Sequence, residues 1–129
     1  ATDVTGFGLL GHLAKMAEAS GVDVAVDASA VPLLPDVAAL AAAGAVPAGT
    51  GRNLGWVRDR LTMAGSPGPD GPDDPTLVLL ADAQTSGWLL FGSSAAAASA
   101  AVAELRAGGH RAAVIGSVTG PGAGRITVR

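Results

Sequence analysis

The chain has 129 residues, 49% of them hydrophobic, and a formal net charge of −3 at pH 7. This size and balance are typical of one globular domain with a single core. Eight basic and eleven acidic residues, spread without blocks, argue against nucleic acid as a partner. The absence of cysteine excludes disulfides and thiolate metal sites within this chain. No apolar run reaches the roughly 20 residues of a membrane helix, so we expect a soluble, cytoplasmic protein with no membrane contact.

The first half of the chain predicts two helices and a strand. Apolar residues at a spacing near 3.6 predict a helix over residues 9–20, which Gly21 ends. Valines that alternate with polar residues predict a half-buried strand over 22–27. A short Ala-rich helix follows, and we expect Asp36 to cap its start and Gly44 to end it.

The middle of the chain is less regular. Residues 47–60 lack a clear period, and no element is predicted there. Residues 65–75 are rich in Pro, Gly and Asp and predict an exposed, flexible loop. The apolar run 76–80 is interpreted as a helical turn and 88–92 as a strand.

The last third predicts one helix and two strands. Ser93 or Ser94 is expected to cap a helix over residues 95–107, and strands are expected at 112–118 and 125–128 around a Gly-Pro-Gly turn. Helices and strands therefore alternate unevenly. We expect an α+β fold, a mixed sheet flanked by helices, in a single domain over residues 1–129.

A glycine motif near the start suggests nucleotide chemistry. Gly6, Gly8 and Gly11 match G-x-G-x-x-G, and Asp27 follows at a strand end, as in a dinucleotide-binding module. Such glycines let the backbone approach a pyrophosphate at a helix N-terminus. However, no buried apolar strand precedes the first glycine, and Asp3 would repel phosphates unless a cation lay between them.

Asp3 therefore has two interpretations. A carboxylate just ahead of a glycine-opened helix is well placed to bind Mg²⁺, which takes oxygen ligands and shares them with nucleotide phosphates. Alternatively, Asp3 or Thr5 only caps the helix, because both residue types are preferred at that position. The pattern alone leaves both interpretations open.

Three blocks of the sequence resemble one known family. The segment TDVTGFGLLGHL, residues 2–13, is similar to the signature that opens the C-terminal domain of selenophosphate synthetases. Residues 30–53, with their GTGRN, and residues 83–90, AQTSGWLL, resemble later blocks of the same family. The blocks occur in the family's order, and AAVIGSV resembles a strand near the family's end. The sequence also starts at Ala1 without Met, and we expect a fragment of a longer protein.

The resemblance implies a fold and an activity. The fold is that of the aminoimidazole ribonucleotide synthetase superfamily, and the reaction converts selenide, ATP and water to selenophosphate, AMP and phosphate. In that family a preceding N-terminal domain, which these residues do not include, binds ATP and supplies most of the magnesium ligands. The chain is therefore expected to be inactive alone, to pair with its own N-terminal domain, and to form a homodimer when full length. A related ATP-using member of the superfamily is the alternative.

The resemblance also assigns residues. Asp3 maps onto a magnesium ligand of the family. Thr5, Gly6 and Gly8 of the same signature are expected to bind the ATP cofactor, and no catalytic residue is assigned. Trp88 stands where the family usually has glycine, and Ala83 where it has proline.

Three further polar residues and one loop are candidates for a functional role. His12 is interpreted as a hydrogen-bonded packing residue and not as a proton relay or ligand. Arg52 and Asn53 either reach a phosphate or tie a loop to backbone carbonyls. The loop from Gln84 to Gly87 is expected to pack against the start of the first helix.

Overall fold

A computed structural model describes residues 1–64 and 74–129, so most of the predicted 65–75 loop, residues 65–73, lies outside the described residues. Over the described part of the chain, the helices are α1 (Gly8–Ala19), α2 (Val37–Ala42), α3 (Ala48–Val57), α4 (Pro75–Ala81) and α5 (Ala95–Ala107). The strands are β1 (Thr2–Asp3), β2 (Val22–Val26), β3 (Leu61–Met63), β4 (Leu89–Leu90), β5 (Gly116–Pro121) and β6 (Ile126–Val128). Short 3-10 turns cover Ala28–Ala30 and Arg58–Arg60.

The strands form two separate sheets. The larger one has the order β3-β6-β2-β5, in which β2 runs parallel to β6 and antiparallel to β5. The smaller one pairs only β1 with β4, antiparallel. A larger sheet of mixed direction with flanking helices confirms the predicted α+β class.

The core lies between the larger sheet and helices α1, α3 and α4. The central strand β2 buries three residues in succession, and on β6 the side chains of Ile126 and Val128 are 0% exposed. Leu10 and Ala14 of α1 and Ala81 of α4 are equally inaccessible. This burial of aliphatic side chains is the main stabilising contribution to the domain. None of the helices over residues 1–64 and 74–129 has the length and apolarity needed to cross a bilayer.

Residues 47–60, for which the sequence predicted no element, contain a helix. Helix α3 occupies most of this segment and buries Thr50, Leu54 and Val57. Their spacing of four and then three residues is helical, but one of the three is polar and glycines stand between them. The helical period was therefore present in the sequence and obscured by composition.

Two other local predictions need correction. Asp36 stands at the start of α2 with a φ of 62° and makes no side-chain cap hydrogen bond. The strand expected at 112–118 is β5, which begins only at Gly116 and extends to Pro121. Strands β5 and β6 do not pair across the glycine turn, because β2 lies between them. By contrast, α1, α2, α4, α5 and β2 lie where they were predicted, and Ser94 caps α5 through Ala97 N–H.

Candidate functional site

The three sequence blocks that carry the family resemblance meet at one corner of the domain. We call this corner the motif junction. It consists of residues 3–8 around β1 and the start of α1, residues 49–53 in α3, and residues 81–88 from the end of α4 onward. These segments lie far apart in sequence. Their backbone and side-chain hydrogen bonds join them into one unit.

Two backbone hydrogen bonds hold the first block against the third. The N–H of Val4 donates to the carbonyl of Trp88 at 2.8 Å and extends the β1–β4 ladder, and the N–H of Gln84 donates to the carbonyl of Thr5 at 3.0 Å. Gly87 lies so close to the Val4 carbonyl that a Cβ there would overlap it. The prediction that the Gln84–Gly87 loop packs against the start of the first helix is confirmed.

Helix α3 ties both of these blocks together. The side-chain amide of Asn53 donates to the carbonyl of Gly6 at 2.9 Å and to that of Ala81 at 3.1 Å. Thr50 is 1% exposed, and its hydroxyl donates to the Asp82 carboxylate at 2.7 Å. Of the two roles that the sequence left open, Asn53 therefore has the structural one, since it ties two segments through their backbone carbonyls. The neighbouring residue Arg52 is exposed.

The glycines of the first block have different reasons to be glycine. Gly8 has a φ of 69° and is buried, and a Cβ there would overlap the carbonyl of Ala81. Its lack of a side chain is therefore explained by packing. Gly6 is exposed, and a Cβ there would meet no atom within 4 Å. Packing among the described residues does not explain Gly6.

The helix-cap interpretation of Asp3 and Thr5 is wrong. The residue at the N-cap position of α1 is Phe7, which makes no side-chain cap hydrogen bond. The Thr5 hydroxyl instead lies 3.0 Å from Nε2 of His12, and the rings of Phe7 and His12 meet edge to face at 5.9 Å. His12 is therefore a hydrogen-bonded packing residue, as predicted.

Asp3 lies in β1 with its side chain exposed. Over residues 1–64 and 74–129, no three His, Asp or Glu side chains come close enough to form a metal cluster. A carboxylate is the oxygen donor that Mg²⁺ prefers, so Asp3 fits one position of such a site. The remaining ligands would have to come from outside the described residues.

The dinucleotide-binding alternative is inconsistent with the topology. That fold requires the strand before the glycines and the strand after the helix to share one parallel sheet. Here β1 belongs to the two-stranded sheet and β2 to the four-stranded one. The carboxylate of Asp27 also accepts hydrogen bonds from the N–H and hydroxyl of Ser29, at 3.1 and 2.7 Å, and these lower its pKa.

Directly after α3, charged groups link the 3-10 turn Arg58–Arg60 to α1. Arg60 donates to Glu18 at 3.0 Å and Lys15 donates to it at 3.3 Å. Arg60, and then Lys15, hold the pKa of the Glu18 carboxyl below its ordinary value, and Glu18 raises the pKa of Arg60. Both cations also approach the ring of Trp56, at 5.0 Å for Lys15 and 5.7 Å for Arg60.

A family model for the C-terminal domain of AIR synthase related proteins matches residues 1–129. The chain belongs to this family. Within it, the chain is 47% identical over 123 residues to a selenide, water dikinase of Porphyromonas gingivalis, a match that covers 92% of this chain and 33% of the relative.

Proteins of the same name from other bacteria give similar matches. The identity is 43% over 117 residues for Myxococcus xanthus, covering 91% of this chain and 32% of the relative. It is 36% over 128 residues for Clostridioides difficile, covering 98% and 35%. The chain thus spans about a third of the length of the curated relatives it matches.

Sequence reasoning missed one pair at the junction, Thr50 with Asp82. Each residue belongs to or adjoins a quoted block, but their contact depends on how α3 packs against α4. A polar residue at a core position of a helical period was the available signal, because a buried hydroxyl needs a partner.

Proposed function

We propose that this chain is the C-terminal domain of a selenide, water dikinase, an enzyme that makes selenophosphate, AMP and phosphate from selenide, ATP and water. The proposal is supported by the identity with relatives of that name and by the family of the domain. It is supported most directly by the motif junction, since three separate sequence blocks are used to hold one exposed carboxylate, Asp3, on a short strand.

In this proposal Asp3 contributes one ligand to a magnesium ion that accompanies ATP in the full-length enzyme. Magnesium would supply charge neutralisation at the phosphates. Gly6, with Thr5 beside it, offers open backbone to the nucleotide, because, apart from its chain neighbours, no atom of residues 1–64 and 74–129 lies within 4 Å of where its Cβ would be. Gly8 is buried by packing, so its proposed contribution to the same site is indirect: it shapes the turn into α1.

The other ligands and the group that handles selenium belong to the N-terminal domain of the full-length protein. We propose that this domain is the chain's permanent partner and that the full-length enzyme is a cytoplasmic homodimer. Sedimentation of the full-length protein at micromolar concentration tests the dimer, and a monomer would reject it.

Turnover of the full-length protein and of residues 1–129 alone tests the proposed function. With ATP, Mg²⁺ and selenide, the full-length protein should form AMP and selenophosphate. Residues 1–129, shown by circular dichroism to be folded, should form neither. Turnover by the isolated domain above a blank would contradict its dependence on a second domain. A full-length protein without selenide-dependent AMP formation would contradict the assigned reaction.

A further inference from the structure

We propose that the outward face of the β1–β4 sheet, formed by Asp3, Leu89 and Phe91, is a docking surface for the rest of the longer polypeptide. The face combines a carboxylate with two large apolar side chains that the described residues leave exposed. Leu89 is 70% exposed and Phe91 38% exposed.

The strand register places these residues together. Asp3 pairs with Leu89, and Thr2 pairs with Leu90. Directly paired residues of an antiparallel ladder project to the same face, and successive residues alternate between faces. Leu90 is 9% exposed and belongs to the core, so Asp3 and Leu89 share the opposite, outward face. Phe91 follows directly after β4, two residues beyond Leu89, and is also exposed.

The β1–β4 sheet is incomplete within the described residues. It consists of two strands of two residues each, and each strand has a ladder partner on only one edge. A two-stranded sheet is marginally stable in water, and its open edges pair readily with further strands. Both the outward face and the open edges therefore favour a partner that covers this sheet.

Among occupants, the remaining part of the same polypeptide fits best. The chain spans about a third of its relatives, so a larger second portion is available to the same molecule. The surface also includes the carboxylate of Asp3, which belongs to no cluster of three acidic or His side chains over residues 1–64 and 74–129. A partner that covers Leu89 and Phe91 would bring its own groups directly to Asp3. The inference rests on the proposed function only in taking the chain to be one domain of a longer enzyme.

Thiol reactivity in the full-length protein tests the docking surface. The domain has no cysteine of its own, so single substitutions introduce unique thiols here. Leu89→Cys and Phe91→Cys report on the surface, and Leu34→Cys, at a leucine 61% exposed, is the matched control. Each maleimide labelling rate is followed by peptide mass spectrometry and divided by the rate of the same variant unfolded in urea.

We expect both surface thiols to react about tenfold or more slowly than the control after this normalisation, because undocking must precede labelling. Reaction of both at the control rate would overturn the proposal. Protection that disappears on dilution would also overturn it and would identify a second copy of the chain as the occupant.

The activity of the same preparations separates this inference from the proposed function. Protected thiols in a protein without selenide-dependent turnover would support docking and reject the reaction. Reactive thiols in a fully active enzyme would do the reverse. Two surface positions are used so that disruption of docking by one substitution does not decide the result.

Discussion

The two sheets of this domain differ in what completes them. The four-stranded sheet pairs its central strands β2 and β6 on both edges and packs them beneath helices, so that Ile126 and Val128 are 0% exposed. The two-stranded sheet has one buried face and one open face, on which Leu89 is 70% exposed. The first sheet forms the centre of the core, and the second leaves Asp3 and Leu89 exposed among the described residues.

This division explains where the sequence motifs lie. None of the three family blocks centres on the fully buried strands; all three contribute to the corner that carries β1. Hydrophobic burial builds the larger sheet, whereas directed hydrogen bonds fix the smaller one. Under the proposed function, substitutions on the outward side of the smaller sheet should affect turnover more than stability, and substitutions in the larger sheet should do the reverse.

Ile126→Ala should have the largest effect on stability. It removes a fully buried side chain from β6 and should lower the free energy of unfolding by about 4 kcal/mol, as in other large-to-small core changes. Val118→Ala is the control on the same sheet, since Val118 is 60% exposed on β5 and its loss should change stability by less than about 0.5 kcal/mol. Urea denaturation measures both. Equal losses would show that the larger sheet is not the core of the domain.

Asn53→Ala should have an intermediate effect. It removes the amide that serves the carbonyls of Gly6 and Ala81, and about 1–2 kcal/mol of stability should be lost. The adjacent exposed Arg52→Ala should lie within about 0.5 kcal/mol of the parent. If the two variants unfold at the same urea concentration, the motif junction does not depend on the Asn53 hydrogen bonds.

Glu18→Gln should have the smallest effect, and it should depend on pH. Because Arg60 and Lys15 lower the pKa of folded Glu18, its charge stabilises the domain above the unfolded-state value of 4.5. That contribution disappears as the pH falls through the lower, folded-state pKa. Parent and variant should therefore differ in melting temperature at pH 7 and converge toward pH 3. A difference that persists at pH 3 would show that packing, and not charge, is responsible.

The sequence predicted the elements whose side chains follow one clear period. Helix α1 and strand β2 have apolar residues at helical and alternating spacing, and Ser94 marks the start of α5. Helix α3 was missed because its buried face includes Thr50, whose partner Asp82 is supplied by tertiary packing. The local sequence pattern likewise could not predict that β6 pairs with β3 and not with β5, because strand order depends on tertiary packing.

At the candidate site, the blocks were identified from the sequence but their geometry was not. The position of Asp3 on a strand, and not at a helix cap, depends on the β1–β4 pairing between residues nearly 90 positions apart. Gly6 and Gly8 looked equivalent in the motif, and only packing against Ala81 distinguishes them. Nonlocal contacts of this kind leave no periodic signal in the chain.

The proposed role of Asp3 as a magnesium ligand is best tested by Asp3→Asn in the full-length enzyme, because this substitution removes the charge of Asp3 and keeps its size. Turnover and melting temperature are measured on the same variant across a magnesium titration. The control is Asp36→Asn, which changes an exposed carboxylate at the N-terminal end of α2. If Asp3 is a magnesium ligand, Asp3→Asn should lose most of its turnover, least severely at high magnesium, with an unchanged melting temperature, whereas the control should stay active. Full turnover of Asp3→Asn at ordinary magnesium would show that Asp3 is not a functional ligand.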